Sequence, residues 1–134
     1  MDDTTPPPSP FAEADPLAAA AALVQQGIVR RLWIFLIDPR GRLRRELQQV
    51  DGIPVTPDAY AVLAVRGILG HVLEPENEVA FAIERPGRPE PTPDDWAWHD
   101  AIVRAAEGIS VPLRGVLLAH GSGVDPMAPR IVAA

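Results

Sequence analysis

The chain alternates short apolar runs of strand length with longer stretches of helical spacing. Residues 31–38, RLWIFLID, form a continuous run rich in aromatic and β-branched residues, the pattern of a strand buried on both faces. Pro39-Arg40-Gly41 reads as a turn. In residues 42–50, Leu43, Leu47 and Val50 fit helical spacing, while Leu43 and Leu47 also share one face of a strand. The short turn before them favours a hairpin, so this run is predicted to be a strand. Residues 77–84, NEVAFAIE, alternate Val79, Phe81 and Ile83 with Ala80 and Ala82 and predict another strand. VPLRGVLLAH, residues 111–120, predicts a last one.

Three helices fall between or before these strands. Asp15 as N-cap and Pro16 at the first helical position open an alanine-rich helix over residues 17–26, with Gly27 as its stop. Thr56-Pro57-Asp58 starts a second helix that runs to about His71, with Val62, Val65 and Leu69 on its broad apolar face. Thr92-Pro93-Asp94-Asp95 starts a third, which runs to about Glu107 and stops at Gly108, with Trp96, His99, Val103 and Ala106 on one face. The order α-β-β-α-β-α-β predicts an α/β (α+β) fold, a mixed sheet flanked by helices. Residues 1–14, with PPPSP at 6–10, read as a tail that buries little. Residues 15–134 read as one domain, ending in a Gly/Pro-rich stretch relieved only by Ile131-Val132.

Composition narrows the functional classes. The chain has 134 residues, 47% of them hydrophobic, with a net charge of −6 and a pI near 4.9. That balance argues against a general nucleic-acid binder. No cysteine is present, which removes disulfides, thiolate–zinc sites and a cysteine nucleophile. No apolar run approaches the roughly 20 residues of a membrane helix, and no basic segment opens a signal peptide. The expected location is the cytoplasm, and no membrane partner is expected.

Three groups of residues carry candidate chemistry. Glu84 and Asp95 flank the loop AIERPGRPEPTPDD, residues 82–95, at a strand end where α/β sites lie. Asp95 also stands three residues after Thr92, where a carboxylate meets the helix dipole and reaches back to the N-cap; Glu84 reads as a strand-end surface residue. His71, His99 and His120 are dispersed, with none of the close spacings of a metal motif. LLAHGSG, residues 117–123, offers a glycine-rich turn to an anion. Without a following helix or a Gly-x-Ser-x-Gly elbow, Ser122 reads as a turn residue. Six of the twelve arginines fall between Arg30 and Arg45. Around the hairpin tip Arg40, Arg42 and Arg44 offer a surface to phosphates or an acidic protein; the alternative is a solvated hairpin that balances an acidic chain.

The stretch from about residue 33 to 121 resembles the RadC-like branch of the JAB/MPN (JAMM) domains. There, a hairpin, a helix and an apolar strand lead into His-Asn-His-Pro-Ser-Gly-Asp-Pro-x-Pro-Ser-x-x-Asp. Here Gly87, Pro89, Pro91 and Asp95 match, Thr92 replaces serine, and Gly108-Ile109 match a later turn. Arg114-Gly115 fall where the family has Asp-His. The resemblance implies a JAB/MPN-like fold. In the family two histidines and the aspartate hold zinc, and an upstream glutamate is the general base. Here Ala82 and Glu84 stand at the histidine positions, only Asp95 is kept, and Glu46 is the nearest candidate for the base. Arg85 and Arg88 beside that position would repel a cation. The implied function is a catalytically inactive, metal-free domain without cofactor, acting in protein interaction or dimerisation. Its candidate binding surface comprises Arg85, Arg88, Thr92 and Asp95 with Arg40, Arg42 and Arg44. The alternatives are a hydrolase with a rearranged metal site around Glu84 and Asp95, using His99 or His120, and a nucleic-acid-associated protein using the residue 30–45 arginines.

Overall fold

The computed structural model describes residues 15–127; the proline-rich segment 1–14 and Ile131-Val132 lie outside the described residues. In chain order the elements are α1 (Pro16–Val24), β1 (Arg31–Ile37), β2 (Leu43–Asp51), α2 (Ala59–Val72), β3 (Glu78–Glu84), α3 (Pro93–Gly108), β4 (Leu113–His120) and β5 (Gly123–Pro126). The strands form one sheet in the order β2-β1-β3-β4-β5. β1 is antiparallel to both β2 and β3, β3 and β4 are parallel, and β5 returns antiparallel to β4. Among the described residues the fold is therefore α+β with a mixed five-stranded sheet and three helices. The predicted order is the observed one, with β5 added. Gly-Val-Asp-Pro has too little apolar alternation to announce a strand, and only its pairing with residues 117–120 of β4 makes it one.

Alternation along the strands divides the core in two. Leu32, Ile34, Val79, Phe81, Ile83 and Leu118 face α2 and α3, where they meet Val65, Leu69, Trp98 and Ile102. Phe35, Ile37, Ala80, Ala82 and Ala119 face the other way, toward Ala19, Ala20 and Val24 of α1. Each fully buried Ile, Leu or Phe contributes about 1.5–3 kcal/mol. In the second layer alanines from α1, β3 and β4 pack beside the larger Phe35, Ile37 and Leu117.

Several boundaries differ from the sequence reading for physical reasons. α1 stops at Val24, its cap Gln25 takes φ 71°, and Gly27 does not cap the helix. Gly27 is required because a Cβ there would lie 2.1 Å from the Arg85 carbonyl oxygen and 2.4 Å from that of Ala119. α2 begins at Ala59, with Asp58 as N-cap accepting from the Ala61 amide; Thr56 instead donates to Asp94, 2.7 Å away. The buried residues of α3 are Asp95, Trp98, His99, Ala101, Ile102, Ala105 and Ala106; His99 and Ala106 of the expected face are among them, whereas Trp96 and Val103 are only half-buried. The helix is turned this way because Trp98 sits in the α2–α3 core, its indole N–H donating to the Pro54 and Val55 carbonyls.

Candidate functional site

The carboxyl ends of the parallel pair β3 and β4 lie side by side, and the loop of residues 85–92 begins there. Arg85 N–H donates to the Ala119 oxygen, Gly121 N–H to that of Gly87, and Gly27 N–H to that of His120. Gly87 makes the bend at φ 107°, a conformation that favours glycine. Three chain segments thus meet around the residues aligned with the RadC-like loop.

Glu84 and Arg85 are consecutive at the end of β3, so their side chains leave on opposite faces of the sheet. Glu84 turns to the α1 face. One of its oxygens accepts from the Ile28 and Val29 amides at 2.9 and 3.1 Å; the other accepts from the Trp33 indole at 2.8 Å, with the Arg31 guanidinium 3.8 Å away. Burial pushes its carboxyl up, but these donors outweigh burial and hold it below the ordinary range. The sequence reading makes Glu84 a surface residue; it is 3% exposed, because its carboxylate turns inward to accept the Ile28 and Val29 amides of the α1–β1 linker and the Trp33 indole.

Arg85 turns to the α3 face and is 5% exposed. Its Nε and one terminal nitrogen grip both oxygens of Asp95 at 2.8–3.1 Å. The remaining donors go to the carbonyls of Pro86, Arg88 and Glu90 at 3.2, 2.6 and 3.0 Å. All five N–H donors of the guanidinium are engaged. Asp95, with no exposure, also accepts from the Thr92 amide, while Thr92 Oγ1 accepts from the Asp95 amide, a capping box. Burial raises its carboxyl; the hydrogen bonds from Arg85 and Thr92 and the charge of Arg85 more than offset this, and the net direction is down.

These positions correct the expected binding surface. Arg85 and Asp95 are interior to the loop and present nothing to a partner; a desolvated charge needs its counter-ion, and each is the other's. Thr92 and Arg88 are exposed, but the Thr92 hydroxyl serves the cap and the Arg88 carbonyl serves Arg85. Arg44 is bonded to Glu46 and Glu74, whereas Arg40 and Arg42 stand exposed on a turn organised by the Asp38 carboxylate.

The residues here do not fit a zinc ion. Ala82 belongs to the core layer under α1 and offers no donor. The Glu84 carboxylate is committed to the linker, and that of Asp95 to a cation already bonded to it. His99 and His120 hydrogen-bond Asp100 and Asp125, at 3.4 and 2.7 Å, rather than Glu84 or Asp95. Among the described residues no group of three His, Asp or Glu side chains is placed to hold a metal. Ser122 spends its amide on His120 Nδ1 at the tip of the β4–β5 hairpin, so the glycine-rich turn is closed by its own strand.

The ion pair of Arg85 and Asp95 is the feature that sequence reasoning misses. Its signal is thin: an arginine directly after a buried strand, ten residues before an N3 carboxylate. Among the described residues, no helix is long and apolar enough to cross a membrane. No family model matches the chain, and neither a curated protein nor a solved structure matches it.

Proposed function

We propose that the chain is a metal-free, catalytically inactive JAB/MPN-like domain that acts by binding protein. The observation that carries this reading is the Arg85 guanidinium. It fills the centre of the loop aligned with the family's metal loop, satisfies the one retained ligand position, Asp95, and braces the turn through three carbonyls. A cation that a metal would supply is covalently built in. α1, which lies outside the resemblance, closes over the layer containing Ala82. What remains is a rigid scaffold whose recognition surfaces must lie elsewhere. A cytoplasmic location is part of the proposal.

The test is metal content. Protein purified without chelator should carry far less than one zinc per chain by plasma mass spectrometry. Adding zinc should leave the thermal midpoint unchanged, because a ligand that binds only the folded state would raise it. Stoichiometric zinc that disappears in Asp95→Asn would refute the reading.

A further inference from the structure

The amino ends of the parallel strands β3 and β4 lie at the opposite end of the sheet from the loop of residues 85–92. A cavity of about 460 Å³ opens there, a volume within the range of ligand sites. Residues 73–78, the turn that leads into β3, line it on one side. Residues 109–112, the connection from α3 into β4, line it on the other.

Asn77 is the unusual residue of this wall. It is 4% exposed, and its side-chain Nδ2 finds no acceptor among the described residues. A buried polar group is ordinarily hydrogen-bonded, and an amide nitrogen left without an acceptor destabilises the fold. The neighbouring carboxylates of Glu74 and Glu78 do not serve it; they are bonded to Arg44 and Arg114. The acceptor that Nδ2 lacks can come from the cavity.

Glu76 has the opposite need. It is exposed, and with Arg44 and Arg114 bonded to its neighbours it has no cation of its own among the described residues. It occupies the third position of a turn that the Asn77 amide closes on the Glu74 carbonyl at 3.2 Å. Its φ of 70° is one that glycine ordinarily supplies there. The three glutamates are not placed to hold a metal ion together, so the cation that answers Glu76 is an organic one. A ligand that suits both residues carries a hydrogen-bond acceptor beside a positive charge. A peptide carbonyl next to a lysine or arginine side chain is such a pair.

We infer that this cavity receives a basic side chain of a partner polypeptide, its charge against Glu76 and an adjacent peptide carbonyl accepting from Asn77 Nδ2. Leu73, Ile109 and Val111 line the space for its methylene stem. The inference rests on the protein-binding reading and names the partner's chemistry as a basic segment. The net charge of −6 draws such a segment in.

The probe is N-acetyl-arginine N-methylamide, titrated at constant ionic strength into the isotope-labelled full chain and followed by amide NMR. Saturable shifts centred on the residues that line the cavity are expected, with a dissociation constant in the millimolar range. The uncharged norleucine analogue should bind at least about tenfold more weakly. Glu76→Gly and Asn77→Leu should each weaken arginine binding at least about fivefold. Neither substitution should lower the thermal midpoint, because glycine suits the turn and leucine removes an unsatisfied amide. Should Asn77→Leu fail to fold, Glu76→Gly carries the test. The inference is overturned by the absence of saturable shifts, by shifts centred elsewhere, by equal binding of the norleucine analogue, or by binding that survives Glu76→Gly. None of these outcomes touches the metal-free reading, which the zinc measurement decides separately.

Discussion

Replacing Arg85 by methionine should be among the most damaging single changes in the protein. Methionine fills part of the volume but leaves the Asp95 carboxylate, wholly buried, with only the Thr92 amide as donor. Breaking a buried pair from one side costs about 3–5 kcal/mol, because the surviving charge stays desolvated. The carbonyls of Pro86, Arg88 and Glu90 belong to exposed loop residues, so water can replace the lost donors there and adds little to the loss. Against a domain stability of about 5–15 kcal/mol the variant is marginal. Urea unfolding at neutral pH gives the difference from midpoint and slope. Arg85→Lys should also fail to restore stability, since three ammonium donors cannot reproduce five in a fixed fork. The decisive variant is Arg85→Met with Asp95→Asn, which removes the orphaned charge and keeps an oxygen for the cap. It should recover about 2 kcal/mol or more relative to Arg85→Met alone. A loss below about 1 kcal/mol for Arg85→Met, or strict additivity in the double variant, would show that the pair is not the brace described.

Two further changes probe the surroundings of that pair. Gly27→Ala should destabilise by about 3 kcal/mol or prevent folding, since its Cβ would meet backbone oxygens rather than a yielding side chain; a thermal midpoint equal to that of the unaltered chain would contradict the close approach. Acid should unfold the protein through Glu84 and Asp95, whose folded carboxyls lie below their unfolded values. The unfolded chain then binds more protons, so the stability these groups confer is present above a pH of about 4 and is lost as pH falls through the folded values. Urea midpoints measured down the pH scale should fall less steeply for Glu84→Gln than for the unaltered chain, and equal slopes would argue against the linker clamp.

The fold class was legible because periodicity speaks directly for layers. The runs at 31–38 and 77–84 are apolar on both faces, and both strands are covered on both sides. The short turn at residues 39–41 settled an ambiguous run as β2, which the register with β1 supports. Composition could not show β5, whose Val124 is its one large apolar residue. At the candidate site, the cap of α3 was readable from Thr92 and Asp95, since both partners lie within one turn. The roles of Glu84 and Arg85 were not. The hydrogen-bond donors of Glu84 are 51 to 56 residues away and the counter-ion of Arg85 is 10 away, and nothing local tells a solvated charge from a buried one. The direction in which each leaves the sheet decides the matter, and that direction is a property of the assembled strand. Gly27 gave a misleading local signal for the same reason: it reads as a helix stop, yet its neighbours are Arg85 and Ala119.

The clamp that Glu84 places on the linker after α1 also orders events in time. The amides of Ile28 and Val29 have their acceptor on the last residue of β3, and that of Gly27 finds its own on the last residue of β4. Closing such distant contacts is the slow part of assembling a chain. As the polypeptide is synthesised, α1 precedes these acceptors, so the Ile28 and Val29 amides have no partner until β3 exists and the Gly27 amide none until β4 exists. The linker after α1 therefore waits for strands made after it, and its clamp holds α1 against the layer that contains Ala82.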